Sequence, residues 1–178
     1  MGNEADGQVV RRFAAAGGAL FVSNSFSKSF SLYGERVGAL SIVAATAEEA
    51  ARTLSQLKRV VRTNYSNPPM HGGQVVAIAL ATPALRQMWE EELAAMRARI
   101  REMRQLMVQK LKEKVPAHDF DFVTAQRGMF SYSGLTKQQV ERLRTEFSIY
   151  AVDTGRICVA PLNHANIDRV VDAIAAVL

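Results

Sequence analysis

The chain has 178 residues, 48% of them apolar and 22% charged, which is close to the globular average and excludes a disordered segment. This is enough for one ordinary domain with a real core or for two small ones. Lysine and arginine number 22 against 17 acidic residues, and the resulting charge of +5 favours anionic ligands without calling for a nucleic acid.

Residues 8–16 (QVVRRFAAA) read as the end of a helix closed by Gly17-Gly18, and Ala19-Leu20-Phe21-Val22 as a buried strand. The stretch SNSFSKSFSLYGER follows, and Val37-Gly38-Ala39-Leu40-Ser41-Ile42-Val43 then forms a second apolar strand, also expected to be buried. Thr46 and Glu49 have capping-box spacing ahead of a helix carrying Leu54, Leu57, Val60 and Val61. That helix should stop near Asn64, because Asn67-Pro68-Pro69 cannot continue it. Pro69 suits the first turn of a further helix over 69–82, and Thr82-Pro83 is the next break.

From Ala84 to Lys114, Leu85, Trp89, Leu93, Met96, Ile100, Met103, Met107 and Leu111 recur at three- and four-residue intervals. They predict one helix on the order of 45 Å long, suited to connecting two lobes. Its basic residues, Arg104 among them, alternate with glutamates and are read as a solvated face with i,i+4 pairs rather than an RNA- or membrane-binding surface. Phe120–Val123 and Gly128–Tyr132 read as strands, Thr136 with Gln139 caps a helix to about Phe147, and Ile149–Val152 leads into the turn Asp153-Thr154-Gly155. Arg156 opens a strand after that turn, and a last helix from about Asn166 to Leu178 has Ile167, Val170, Val171, Ile174 and Val177 on one face.

Cys158, the only cysteine, sits in the apolar run Ile157–Ala160 and reads as a small buried hydrophobe, so no disulfide framework exists and a reducing compartment is expected. No run approaches the roughly 18 apolar residues of a membrane span, and MGNEADGQVV lacks the regions of a signal peptide. Gly2 is followed by Asp6 where a myristoylation motif takes Ser or Thr. The expectation is a cytoplasmic protein with no membrane or nucleic-acid partner and no metal site.

The unusual feature is Lys28 among Ser23, Ser25, Ser27 and Ser29, with Phe26 and Phe30 beside it and Arg36 eight residues on. A lysine amine holds its proton to about pH 10.4 in water, so a reactive one must be desolvated or set near another cation. The two phenylalanines and Arg36 are placed to do both. Hydroxyls, loop amides and Arg36 suit a phosphate, and an amine beside a phosphate site is what an aldehyde cofactor such as pyridoxal phosphate requires. An exposed lysine in a Ser-rich turn is the plain alternative. Ser25-Phe26-Ser27-Lys28 also satisfies the S-x-x-K pattern of acyl-transfer enzymes, but neither S-D-N nor K-T-G occurs, and this serine leaves a strand rather than opening a helix.

SNSFSKSFSLYGERVGAL resembles the cofactor-lysine segment of the aspartate and aromatic amino acid aminotransferases, class I enzymes of the fold type I pyridoxal phosphate group. NYSNPPMHGG, QRGMFSYSGL and Gly155-Arg156-Ile157 follow in the family's order and spacing. The resemblance implies an α/β protein: the C-terminal section of the large cofactor domain in 1–83, then a long connecting helix and small α+β domain in 84–178. It implies that Lys28 forms the Schiff base with pyridoxal 5′-phosphate and later moves the α-proton, with Ser25, Ser27 and Arg36 at the phosphate. Arg156, by itself a plain cation after a tight turn, matches the grip on the substrate's α-carboxylate. Arg62, by itself a cation at a helix C-terminus, matches the arginine that crosses a homodimer to pair with a dicarboxylate side chain. Ser66 continues that segment, and Phe130 matches a position lining the substrate side of the cofactor. The implied reaction passes the amino group of an aromatic or dicarboxylic L-amino acid to a 2-oxo acid.

Family members are over twice this length. The segments that carry the aspartate at the pyridine nitrogen, the tyrosine and asparagine at the ring hydroxyl, the stacked aromatic and the glycine-rich phosphate loop have no counterpart here, and Asp6 lies too near Lys28 to be that aspartate. A non-catalytic fragment or dimerisation module therefore stands as the second expectation.

Overall fold

A computed structural model describes residues 3–178; the Met1-Gly2 start lies outside the described residues. The chain is mixed α/β and mostly helical, and divides into two compact units, one ending at Ala94 and the other spanning Ala95–Leu178.

In the first unit, α1 (Asn3–Asp6) and α2 (Gln8–Ala15) precede β1 (Leu20–Ser25) and β2 (Gly38–Val43), which pair antiparallel from Leu20↔Val43 to Ser25↔Gly38. Helix α3 (Ala47–Tyr65) starts where Thr46 accepts a hydrogen bond from the Glu49 amide. The Glu49 carboxylate reaches back one residue further than a capping box requires, to the Ala45 amide at 3.0 Å. Helix α4 (Met70–Ala81) follows Pro69, and α5 (Pro83–Lys114) begins at the next proline, running past Ala94 into the second unit.

The two strands were expected to be buried, and they are not. They pair only with each other, so their faces stay largely open: Phe21 is 61% exposed and Leu40 50%. Helix α3 buries none of its residues, and Val76 on α4 is the unit's one buried hydrophobic among the described residues.

The second unit has a closed core. Met103, Met107 and Leu111 of α5 meet Val123 of α6 (Asp121–Ala125), Val140 and Leu143 of α7 (Lys137–Phe147), and Val171 and Ile174 of α8 (Ile167–Val177). Each such side chain contributes about 1.5–3 kcal/mol on burial. Helix α7 carries the predicted capping box of Thr136 with Gln139. Strands β3 (Phe130–Tyr132) and β4 (Arg156–Cys158) pair antiparallel, with Phe130↔Cys158 and Tyr132↔Arg156.

Three expectations fail here. Phe120–Val123 is not a strand: the Asp119 carboxylate accepts from the Asp121 amide at 2.8 Å, and the chain turns into α6, placing Phe120 and Val123 in the core at helical spacing. Cys158 is half-buried rather than buried. Of the basic side chains on α5, Arg86 makes the i,i+4 pair with Glu90, but Lys110 pairs with Asp168, Lys112 with Asp121 and Lys114 with Asp172, and Arg104 is buried.

Candidate functional site

The Lys28 loop spans 26–37 and is closed at its base where the Phe26 amide donates to the Val37 carbonyl at 3.2 Å. Its turn is tightened by Phe30 N–H to Phe26 O and Ser31 N–H to Lys28 O, both 3.2 Å. Phe26 packs edge-on against Phe30, Phe30 stacks on Trp89 at 4.8 Å between centroids, and the Trp89 indole N–H donates to the Ser29 carbonyl at 2.7 Å. Trp89 therefore pins both residues that follow Lys28. The heptad-like pattern showed Trp89 only as one position of an apolar stripe; the signal that could have found it is the indole N–H, which needs a partner when half-buried.

Lys28 itself is exposed, its ammonium 4.8 Å from the centre of the Tyr33 ring. The expected shielding by Phe26 and Phe30 is absent: Phe26 packs on Phe30, and Phe30 on Trp89. Arg36 donates to the Tyr33 carbonyl at 3.2 Å, so Lys28 and Arg36 converge on one residue that the sequence pattern did not single out. Arg36 is held in a left-handed backbone conformation (φ 51°). Its neighbours fix it: Glu35 bonds His71 at 2.9 Å, and Gly72 of α4 approaches so closely that an added Cβ would lie 2.9 Å from Glu35 Cβ and 3.2 Å from Val37.

Ser27 is buried and Ser25 exposed. Ser25 Oγ accepts from the Ser27 amide at 3.3 Å, and the two hydroxyls are 3.2 Å apart. Two hydroxyls, a guanidinium with free donors and a primary amine form a donor set that fits a phosphate ester bearing an aldehyde.

Arg62 ends α3 exposed, in a shallow groove shared with Ser55, Lys58, Arg59 and Thr63, and donates to Ser66 Oγ at 2.6 Å. Ser66 has φ 73° and ψ −67°, and Asn67 N–H bonds Tyr65 O at 2.9 Å, which makes a γ-turn of the rare, strained hand. The strained turn is what sets the hydroxyl against the guanidinium.

In the second unit, Arg156 and Phe130 lie on β4 and β3, with the Arg156 guanidinium 4.9 Å from the centre of the Phe130 ring. The turn before Arg156 is closed by Gly155 N–H to Val152 O at 2.8 Å and Val152 N–H to Arg156 O at 3.1 Å. Gly155 has φ +82°, and buried Ser133 bonds its carbonyl through both amide and hydroxyl. Among the described residues, no three His, Cys, Asp or Glu side chains gather as a metal site, and no helix is long and apolar enough to cross a membrane.

An exposed lysine on a hairpin loop of this α/β protein, with paired hydroxyls and an arginine on the same loop, makes a donor set of the kind that fits an anionic, amine-reactive group. The comparisons with known proteins narrow that class: residues 1–174 match the model of aminotransferase class I and II, and the chain belongs to this family. It is 62% identical to the aspartate aminotransferase of Pseudomonas aeruginosa, covering 99% of this chain and 44% of that protein. It is 53% identical to the aromatic-amino-acid aminotransferase of Escherichia coli, covering 99% of this chain and 45% of that one. The crystal structure of the Burkholderia pseudomallei aromatic-amino-acid aminotransferase covalently bound to pyridoxal phosphate superposes with a TM-score of 0.95 at 66% identity, over 98% of this chain and 44% of that one. The chain thus spans under half the length of the relatives it matches, and it has the fold of the corresponding part of an aminotransferase.

Proposed function

We propose that the chain is the C-terminal part of a pyridoxal-phosphate-dependent aminotransferase acting on aromatic or dicarboxylic L-amino acids and 2-oxo acids. The observation that carries this reading is the loop in which Lys28 and Arg36 converge on Tyr33 beside the Ser25–Ser27 hydroxyl pair. The names of the relatives support the same reading. Residues 1–83 are then the last section of the large domain, and 84–178 the connecting helix and small domain.

Pyridoxal phosphate, when bound, supplies the aldehyde and the electron sink for amino transfer. The chain's own residues bind and move charge around it. Arg36, with its planar fork of donors, and the Ser25 and Ser27 hydroxyls would hold the cofactor's phosphate. Lys28 would be the amine that holds the aldehyde and the base that takes the proton from the substrate's α-carbon. Arg156 grips the α-carboxylate, and Phe130 under its guanidinium limits where that cation can swing. Arg62, steadied by Ser66, pairs with a dicarboxylate side chain across a homodimer with shared sites. A cytoplasmic location goes with this reading.

The bare strands of the first unit favour a second reading, a non-catalytic fragment or dimerisation module. One experiment separates the two. Pyridoxal phosphate is added to the chain and to its Lys28→Ala variant, followed by aspartate or phenylalanine. The aminotransferase reading expects an absorbance band that shifts with amino acid and is lost in the variant. A band and activity that survive Lys28→Ala overturn it, and no amino-acid-dependent shift in either protein establishes the fragment.

A further inference from the structure

Arg104, in the middle of α5, is only 5% exposed, yet every hydrogen bond it makes among the described residues goes to a neutral oxygen. Its Nε donates to Ser131 Oγ at 3.1 Å and its Nη1 to the Gln126 carbonyl at 2.8 Å. Its Nη2 donates to the Gly128 carbonyl at 2.8 Å, the Phe130 carbonyl at 3.2 Å and Ser131 Oγ at 2.9 Å. Burial and the nearby Arg127 guanidinium lower its pKa from the usual arginine value, the direction expected of a buried cation that no carboxylate neutralises. A buried guanidinium without an acid is a poor stability device, since an apolar side chain of similar volume would fill the space without the desolvation penalty.

The carbonyls it gathers all belong to one segment. Gln126, Gly128 and Phe130 lead into β3, and the guanidinium clamps them as a cation is clamped by a ring of backbone oxygens. The Gln126 side chain then extends β3, accepting from the Tyr132 amide at 2.7 Å and donating to its carbonyl at 2.9 Å. The end product of this clamp is the placement of the Phe130 ring, on which the Arg156 guanidinium rests. Phe130 is 42% exposed, so core packing alone does not fix it.

We propose that Arg104 is a positioning residue for Arg156: it locks the backbone from Gln126 to Ser131, and thereby holds the Phe130 ring that orients the Arg156 guanidinium toward a carboxylate. The inference rests on the reading of Arg156 as the carboxylate grip. Lysine at this position has a single donor head and cannot span three carbonyls and a hydroxyl in one plane.

The test uses the full chain, isotope-labelled on arginine and on the valine methyls, with benzoate as probe. The Arg156 Nε–H resonance carries the ring-current shift of Phe130, and its movement on titration reads the affinity. Arg104→Lys is expected to move that resonance toward its position in Phe130→Leu and to weaken benzoate binding roughly three- to fivefold, while the core methyl resonances of Val140 and Val171 stay in place. Ser131→Ala, which removes the acceptor of Nε and one of those of Nη2 but leaves the three carbonyl bonds in place, should move it the same way by less. An Arg156 resonance unmoved in folded Arg104→Lys overturns the inference, and if that variant does not fold, an unmoved resonance in Ser131→Ala overturns it. Benzoate binding that survives Arg156→Leu instead overturns the carboxylate-grip reading, and leaves the result of the Arg104 resonance comparison intact.

Discussion

Gly155 and Gly128 both have positive φ, +82° and +84°, but their surroundings differ in a way that can be measured. A Cβ at Gly128 would meet nothing within 4 Å. At Gly155 it would lie 2.6 Å from the Leu135 carbonyl oxygen and 3.4 Å from the Tyr132 ring. Alanine at Gly128 should therefore cost only the left-handed backbone penalty, about 1–2 kcal/mol. Alanine at Gly155 adds overpacking against backbone, about 1–3 kcal/mol more, for a total of about 2–5 kcal/mol. Asparagine tolerates the left-handed region, so Gly128→Asn should be milder than Gly128→Ala, whereas Gly155→Asn keeps the clash. Urea unfolding followed on the Val140 and Val171 methyl resonances reads the second unit's stability, because the single tryptophan, Trp89, lies in the first unit. Equal losses at the two glycines would contradict the close approach of the turn to Leu135, and with it the account of how Arg156 is held at the end of that turn.

In a preparation that transaminates, Arg62→Leu is expected to lower kcat/KM for aspartate by roughly 10- to 100-fold and for phenylalanine by less than about threefold, as removal of one charged hydrogen-bond partner predicts; comparable losses for both would count against Arg62 as the side-chain carboxylate's partner. The Asp168 carboxylate, held by a 2.7 Å contact from Lys110 and aided by Lys114, has its pKa lowered from the usual value. Its contribution is therefore fully present above the ordinary carboxylate range and lost as pH falls through the folded value. A carboxyl NMR titration should show the Asp168 midpoint rising in Lys110→Met; an unchanged midpoint would mean the pair is not formed in solution. Each 100 Å² of bare apolar surface is worth roughly 2.5 kcal/mol when covered, and the exposed Phe13, Phe21, Leu40 and Val60 of the first unit make self-association the expected state of the chain alone. Sedimentation of a monodisperse monomer at high concentration would refute that.

Much of this architecture was legible. The proline breaks at Pro69 and Pro83, the Thr136–Gln139 box and the three-four rhythm of α5 each act through local chemistry, and each is found where the pattern put it. Burial was less so. The run Ala19–Val22 has the composition of a covered strand, but composition cannot show what covers it, and here β1 meets only β2. Phe120–Val123 misled because four residues are too few to separate a period of two from one of 3.6, and the deciding group, the Asp119 carboxylate, lay just outside the window. Arg104 misled for another reason: alternating charges along a helix look solvated whichever side faces the core, and only the packed structure reveals which one turns inward. The Ser66 γ-turn left no mark in the sequence at all, since serine has no preference for that conformation.

The central claim is that Lys28 is the cofactor lysine, and covalent trapping tests it most directly. The protein is incubated with stoichiometric pyridoxal phosphate, reduced with borohydride, digested and mapped by mass spectrometry, with Arg36→Leu alongside. The account predicts a pyridoxyl mass concentrated on the peptide containing Lys28 and sharply reduced in Arg36→Leu. Label spread evenly over surface lysines, and indifferent to Arg36, would contradict it.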